Sequence, residues 1–318
     1  MIKFVNCFEY LDEHGEVLDP LPDILDATST MIYASSGTGK SRLMLDLVVH
    51  GLEGRAWAGR EWSTKLERVA ILATDGGGQR NTVELIRSAI KADVLSRETA
   101  ARIVCSQVTV AELSEATTAA LETGPSLLVV DTSSSAVGDD INSNAEAAKF
   151  RVAVLDPAER RRVPVLLLHH TGKGDGFGGR ARTPIGSQAW MANCRNRMFV
   201  YRTGGGRLVA EMMPRYAAEF DFYLDDAGPL VTYAAEQPNK ETRERDRLDT
   251  DSASIAIAEW AVENVSTSNM SEASRMISKQ FPFLKASTVR DYLKNRTKFA
   301  RFLDIDGVVW SLKGDQVA

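Results

Sequence analysis

The sequence predicts an α/β fold: a mostly parallel central sheet with flanking helices, followed by a small module of helices and a hairpin. Three observations predict it. Apolar runs at 69–73, 127–130 and 163–168 are short and rich in Val, Ile and Leu, and helix-patterned stretches separate them, as in buried parallel strands. A further apolar run, Met31-Ile32-Tyr33-Ala34, passes at once into a Gly/Ser-rich turn and then a helical stretch. Beyond a highly charged stretch at 236–251, the pattern changes to three amphipathic segments and two short strands. The expected divisions are 1–235, a linker at 236–251, and 252–318.

Composition narrows the function classes. The 318 residues suit about two domains. Net charge is −5, so contact with nucleic acid must come from local basic patches. Cys7, Cys105 and Cys194 are far apart and odd in number, which argues against zinc and disulfides and for a reducing, cytoplasmic setting. No apolar run has membrane-spanning length, and the first ten residues are too polar for a signal peptide.

Before Met31, Phe4–Tyr10 reads as a strand, His14-Gly15 as a turn, and Pro20 and Pro22 disfavour helix. The stretch Ala34-Ser35-Ser36-Gly37-Thr38-Gly39-Lys40-Ser41 is a phosphate-binding loop with Ala34 in place of its first glycine. Backbone N–H groups from Ser36, Gly37, Thr38, Gly39, Lys40, Ser41 and Arg42 would cradle phosphates at the helix N-terminus. Lys40 would reach the outer phosphates, and the Ser41 hydroxyl would ligate Mg²⁺. The helix should end near Gly51–Gly54.

The second strand ends in Asp75, followed by three glycines. Asp75 has two readings: a water-orienting base at a strand's carboxyl end, or the N-cap of a helix at 81–92. A helix at 109–122 precedes Leu127–Asp131, where four apolar residues lead to an acid that would hold the metal. A polar loop, 133–144, follows, then a helix at 145–155. Pro157–Arg162 leads into the strand that ends in His169-His170. At a strand mouth an imidazole senses phosphate, and His170 is the preferred sensor.

From Gly176 to Ala210 there is no acid, and Lys173, Arg180 and Arg182 lie on a glycine-rich basic loop suited to a nucleic-acid backbone. A surface loop without a ligand is the other reading. A short helix at 187–193 and two hairpins complete the first domain. In the last domain, helices at 252–264, 271–280 (capped by Ser271) and 286–296 precede a hairpin about Asp306-Gly307. That is a winged helix-turn-helix, with Lys285, Arg290 and Lys294 in a basic cluster that suits DNA or, equally in fold terms, a protein partner.

Tyr33–Ser41, the strand ending at Asp75, Leu127–Asp131, and Val165–Lys173 with the following Gly186-Ser187 together resemble RecA-like ATPases. Within them, the His-His-Thr-Gly-Lys strand end resembles the plasmid RepA-type hexameric replicative helicases, relatives of DnaB. The resemblance spans about residues 20–235. It implies a RecA-fold core, ATP and Mg²⁺, a homo-oligomeric, six-membered ring, and loops gripping single-stranded DNA; the last domain lies outside the resemblance, and duplex DNA is the partner expected there from its own basic cluster. It also implies an arginine supplied by the neighbouring subunit: Arg195 matches the RepA-type finger. Met213-Pro214-Arg215 resembles the Lys-x-Arg element of the DnaB relatives, making Arg215 the alternative. The family has Glu where this chain has Asp75, or Thr74 with a shift of one, which points to slow hydrolysis. The expectation is a DNA-acting ATPase, a replicative helicase of a phage, plasmid or mobile element. The alternatives are a recombinase- or loader-type ATPase and an ATP-switched winged-helix regulator.

Overall fold

Nine strands of the first unit, Met1–Gln237, join in one sheet in the order β3-β2-β4-β5-β1-β6-β7-β8-β9. The computed structural model describes residues 18–138, 140–172, 183–203, 206–234, 254–281, 286–295, 298, 300, 303–306 and 308–312. In chain order come β1 (Ser29–Ala34), α1 (Lys40–Glu53), β2 (Val69–Ala73), α2 (Gly78–Lys91), α3 (Arg97–Ala100) and β3 (Ile103–Gln107). Then follow α4 (Leu113–Glu122), β4 (Leu127–Asp131), α5 (Asn144–Phe150), α6 (Asp156–Arg160), β5 (Val165–His170) and α7 (Gln188–Ala192). The unit closes with β6 (Asn196–Arg202), β7 (Leu208–Met213), β8 (Phe220–Asp225) and β9 (Thr232–Tyr233). The strands from β3 to β6 in sheet order are mutually parallel, and β6 to β9 run antiparallel.

Strand alternation sorts the core into two layers. Ile32, Ile71, Val129, Leu166 and Leu168 meet Leu43, Met44, Leu47 and Val48 of α1. Tyr33, Leu72, Val130 and Leu167 face the other way, onto Leu113, Phe150, Val154 and Trp190. Helix α1 is buried nearly all round because its second face, Leu45 and Val49, packs with Ala89 of α2. Trp190 is fully buried, its ring 5.1 Å from Phe150 and 5.3 Å from His169, and its Nε1 donates to the Ile141 carbonyl at 3.0 Å. Trp190→Ala is expected to lower the unfolding free energy by about 3–5 kcal/mol, measured by urea denaturation.

Several expectations need correction. The stretch 109–122 is not one helix: a 3-10 turn, Val110–Glu112, precedes α4, and Thr109 and Glu112 form its capping box. The helix expected at 145–155 does not stop before Pro157. A π turn, Arg151–Leu155, joins α5 to α6, and Pro157 falls in the first turn of α6, where a missing N–H costs little.

The second unit, Pro238–Ala318, contains α8 (254–264), α9 (Met270–Gln280), α10 (Ala286–Asn295) and an antiparallel pair, β10 (Leu303–Asp306) and β11 (Val309–Leu312). Ala258, Ile277, Val289, Leu303 and Trp310 form its core. The cap of α9 is Asn269, not Ser271: the Asn269 side chain accepts from the N–H groups of Ser271 and Glu272 at 2.9 and 3.3 Å. Asp306 pairs with Val309, so Asp306 belongs to the strand and not to the turn. The charged stretch 236–251, Phe4–Tyr10, Cys7 and His14 lie outside the described residues.

Candidate active site

The sheet order brings four strand ends together. β1, β5, β4 and β2 are consecutive neighbours, so the loop after Ala34, His170, Asp131 and Asp75 follow one another along the carboxyl edge. Register sets their depth: Ala34 is level with His170, while Asp131 is level with Leu168 and Ala73. Alternation places Ala34, Asp131 and His170 on the α1 side of the sheet.

Gly39, at φ 105°, turns the chain into α1, and no side chain caps the helix there. The first-turn N–H groups are thus available to an anion. Lys40 is buried, and its Nζ donates to the carbonyls of Ala34 at 3.0 Å and Ser35 at 3.2 Å and lies 3.2 Å from His170 Nδ1. Burial pulls its pKa down to about 8, against the opposing pull of Asp131 and Asp75. Phosphate oxygens beside the ammonium would reverse that shift. Nucleotide binding above pH 8 is therefore expected to take up as much as one proton, and affinity to fall by up to about tenfold per pH unit. Calorimetry in two buffers of different ionisation heat measures the uptake.

Ser41 Oγ donates to Asp131 Oδ2 at 2.7 Å. Burial raises the Asp131 pKa, and the Ser41 hydrogen bond opposes the rise. This pair of hard oxygens at the foot of the loop suits Mg²⁺. Arg42 contributes through its backbone, because its guanidinium is moored to the turn between β8 and β9. It donates to the carbonyls of Asp226 (2.8 Å), Pro229 (2.9 Å) and Leu230 (3.2 Å), and to that of Gly228.

The two histidines are divided by the pleat. His169 points under Trp190, fully buried; its Nε2 donates to the Ile185 carbonyl at 2.8 Å and its Nδ1 accepts from Ser133 at 2.9 Å. Burial lowers its pKa to about 4, so it is a neutral structural pin at pH 7. His170 is half-buried and faces Lys40; burial and then Lys40 lower its pKa, so its Nδ1 is free to accept the lysine's proton bond. Beside it, with Ser134, Ser135, Ile141 and Ile185, lies an open cavity of about 380 Å³.

Of the two readings of Asp75, the helix cap fails. The N-cap of α2 is Gly77, without a side-chain bond. The Asp75 carboxylate instead turns toward the residues after β4, where Oδ1 accepts from Thr132 Oγ1 at 3.1 Å and from the Ser135 hydroxyl. The Thr74 hydroxyl donates to the Thr132 carbonyl at 2.5 Å and so is not directed at the phosphate side. Sequence reasoning left Thr132 as the last residue of a strand, and Ser134 and Ser135 inside an undivided polar loop. The signal was a run of small hydroxyl residues directly after a strand-ending acid.

Arg195 and Arg215 lie at the other end of the sheet. Arg195 N–H donates to the carbonyl of Ser29, where β1 begins, while Lys40 is bonded to Ala34, where it ends. Five strand steps, about 17 Å, separate the two ends. Both arginines line one polar cavity of about 130 Å³ with Ser29, Arg151, Glu159 and Asn193. Lys173, Arg180, Arg182 and Lys285 lie outside the described residues. Arg290 and Lys294 are exposed four residues apart on one face of α10.

The sequence profile of the AAA domain family matches residues 16–176, just over half of the chain. The chain belongs to the AAA domain family. Its matched region takes in the loop at 34–41, Asp75, Asp131 and both histidines, and the protein is a P-loop ATPase built on a mostly parallel α/β sheet. No curated protein sequence matches the chain. Among solved structures, one described as the RadB recombinase has a TM-score of 0.47 at 18% identity, covering 65% of this chain and 91% of that one. The AAA-domain match ends before Arg195, Arg215 and the whole second unit. No described helix is long and apolar enough to cross a membrane.

Proposed function

We propose that this ATPase is a ring-forming replicative DNA helicase of a phage, plasmid or mobile element, acting on single-stranded DNA as a hexamer. The observation that supports this most is the placement of Arg195 and Arg215. They are grouped at the end of the sheet remote from Lys40, beyond an arginine's reach of the same subunit's phosphates. A site completed by the neighbouring copy makes use of both ends. In this reading the Lys40 ammonium leaves its carbonyls for the β- and γ-phosphate oxygens. Ser41 and Asp131 would hold Mg²⁺, which would neutralise phosphate charge. Water attacks the γ-phosphorus, its proton passes to Asp75, and the bond to the ADP oxygen breaks. His170, in contact with Lys40, registers the presence of the γ-phosphate. Lys173, Arg180 and Arg182 grip the strand, while Lys285, Arg290 and Lys294 of a winged helix give duplex contacts.

The test is strand displacement on a forked duplex, with ATPase rates with and without single-stranded DNA and mass by light scattering. Expected are ATP-dependent unwinding, DNA-stimulated hydrolysis and a hexameric mass. DNA-stimulated hydrolysis without unwinding would instead identify a loader or recombinase-type ATPase, a reading favoured by the short acid at position 75. Tight sequence-specific duplex binding through Arg290 and Lys294, without unwinding, would identify an ATP-switched regulator.

A further inference from the structure

We infer that Thr132 and Ser135 are positioning residues for Asp75: their hydroxyls fix one carboxylate oxygen so that the other is presented to the attacking water. The inference rests on Asp75 being the base proposed above. It starts from a deficit. An aspartate carries its carboxylate on a single methylene, so the group is placed by its surroundings rather than by reach.

The surroundings do this. A tight turn follows β4, with Ser135 N–H donating to the Thr132 carbonyl at 3.1 Å and Ala136 N–H to that of Ser133 at 3.3 Å. The turn gathers three hydroxyls: Thr132 Oγ1 lies 3.0 Å from Ser134 Oγ and 3.2 Å from Ser135 Oγ. Two of them, those of Thr132 and Ser135, donate to the same atom, Asp75 Oδ1. An sp² carboxylate oxygen has two lone pairs, so Oδ1 is filled. Asp75 Oδ2 has no hydrogen-bond partner among the described residues. Gln107 completes the frame from the backbone side: its Nε2 donates to the carbonyls of Ala73 at 2.9 Å and Asp75 at 2.7 Å. Main chain and side chain of Asp75 are thus both held, the latter from the turn that directly follows the metal-holding strand. Ser134 and Ser135 also border the cavity beside His170.

The step that depends on this is proton transfer: water forms the new bond to phosphorus, its proton goes to Asp75 Oδ2, and ADP departs with the electrons of the broken bond. A misplacement of about 1 Å at such a step costs on the order of 10²-fold. Ser135→Ala is expected to lower kcat by about 10- to 100-fold, with the affinity for a fluorescent ADP analogue and the KM for ATP unchanged. Ser135→Thr, which keeps the hydroxyl, should restore most of the rate, and Thr132→Val should behave like Ser135→Ala. Active-site titration with the same analogue corrects each rate for the folded fraction. Asp75→Asn is the separate control for the base itself. If Asp75→Asn is inactive but Ser135→Ala turns over at the parent rate, the positioning role is wrong and the base stands. If Asp75→Asn retains the parent rate, the base assignment falls and the positioning role with it. A loss in Ser135→Ala that Ser135→Thr shares equally would also overturn it.

Discussion

Lys40→Ala is expected to abolish ATP turnover, by about 10³-fold or more, and to weaken nucleotide binding. The ammonium is a positive charge built into the cradle, and it is already desolvated: burial has lowered its pKa to about 8. Part of the cost of stripping water from the site is therefore met in the free protein. A methyl group cannot bridge phosphate oxygens, and the Ala34 and Ser35 carbonyls lose the lysine donor and keep the N–H groups of Thr171 and Thr38. Hydrolysis assays and analogue binding on folded Lys40→Ala protein test this. Parent-level turnover would refute the assignment of the loop.

The second large effect is expected from Arg195. If it completes a neighbour's site, Arg195→Ala should lose about 10³-fold or more in turnover while binding nucleotide normally. Mixing decides the geometry. Lys40→Ala protein supplies intact arginines and Arg195→Ala protein supplies intact loops. Mixed rings of two inactive variants should regain a fraction of the parent rate that rises and falls with mixing ratio. Mixtures no more active than either parent variant, under conditions where subunits exchange, would sink the shared-site reading. Arg215 lines the same cavity, so Arg215→Ala measured in the same way shows whether the two guanidinia act on one anion. Non-additive losses are expected if they do.

Much of the fold was legible because buried parallel strands and phosphate loops write themselves locally. The strands at 29–34, 69–73, 127–131 and 165–170 are largely apolar on both faces; the last two end at Asp131 and His170, while β1 stops at Ala34 before the loop and β2 at Ala73, two residues short of Asp75. Strand order was not legible: nothing in the chain says that β5 lies between β1 and β4, yet that insertion puts His170 against Lys40. The roles of His169 and His170 follow from alternation once the neighbours are known. The pinning of Asp75 depends on residues 57 and 60 positions away, and the mooring of Arg42 on a turn more than 180 positions away. Local misreadings had local causes. Ser271 is a good cap residue, but Asn269 is better placed for it. Pro157 breaks an α-helix but not one that has already widened into a π turn.

Gly39 is claimed twice over. Its φ of 105° excludes most side chains, and a Cβ there would come within 2.9 Å of the Val231 methyl group. Gly37, by contrast, has open space beside it, although its φ of 75° still disfavours a side chain. The pocket floor is thus welded to the far hairpin, and the rim is not. Anyone wishing to retune how firmly this loop holds its ligand will find more room at Ser35, Ser36 and Thr38 than at Gly39.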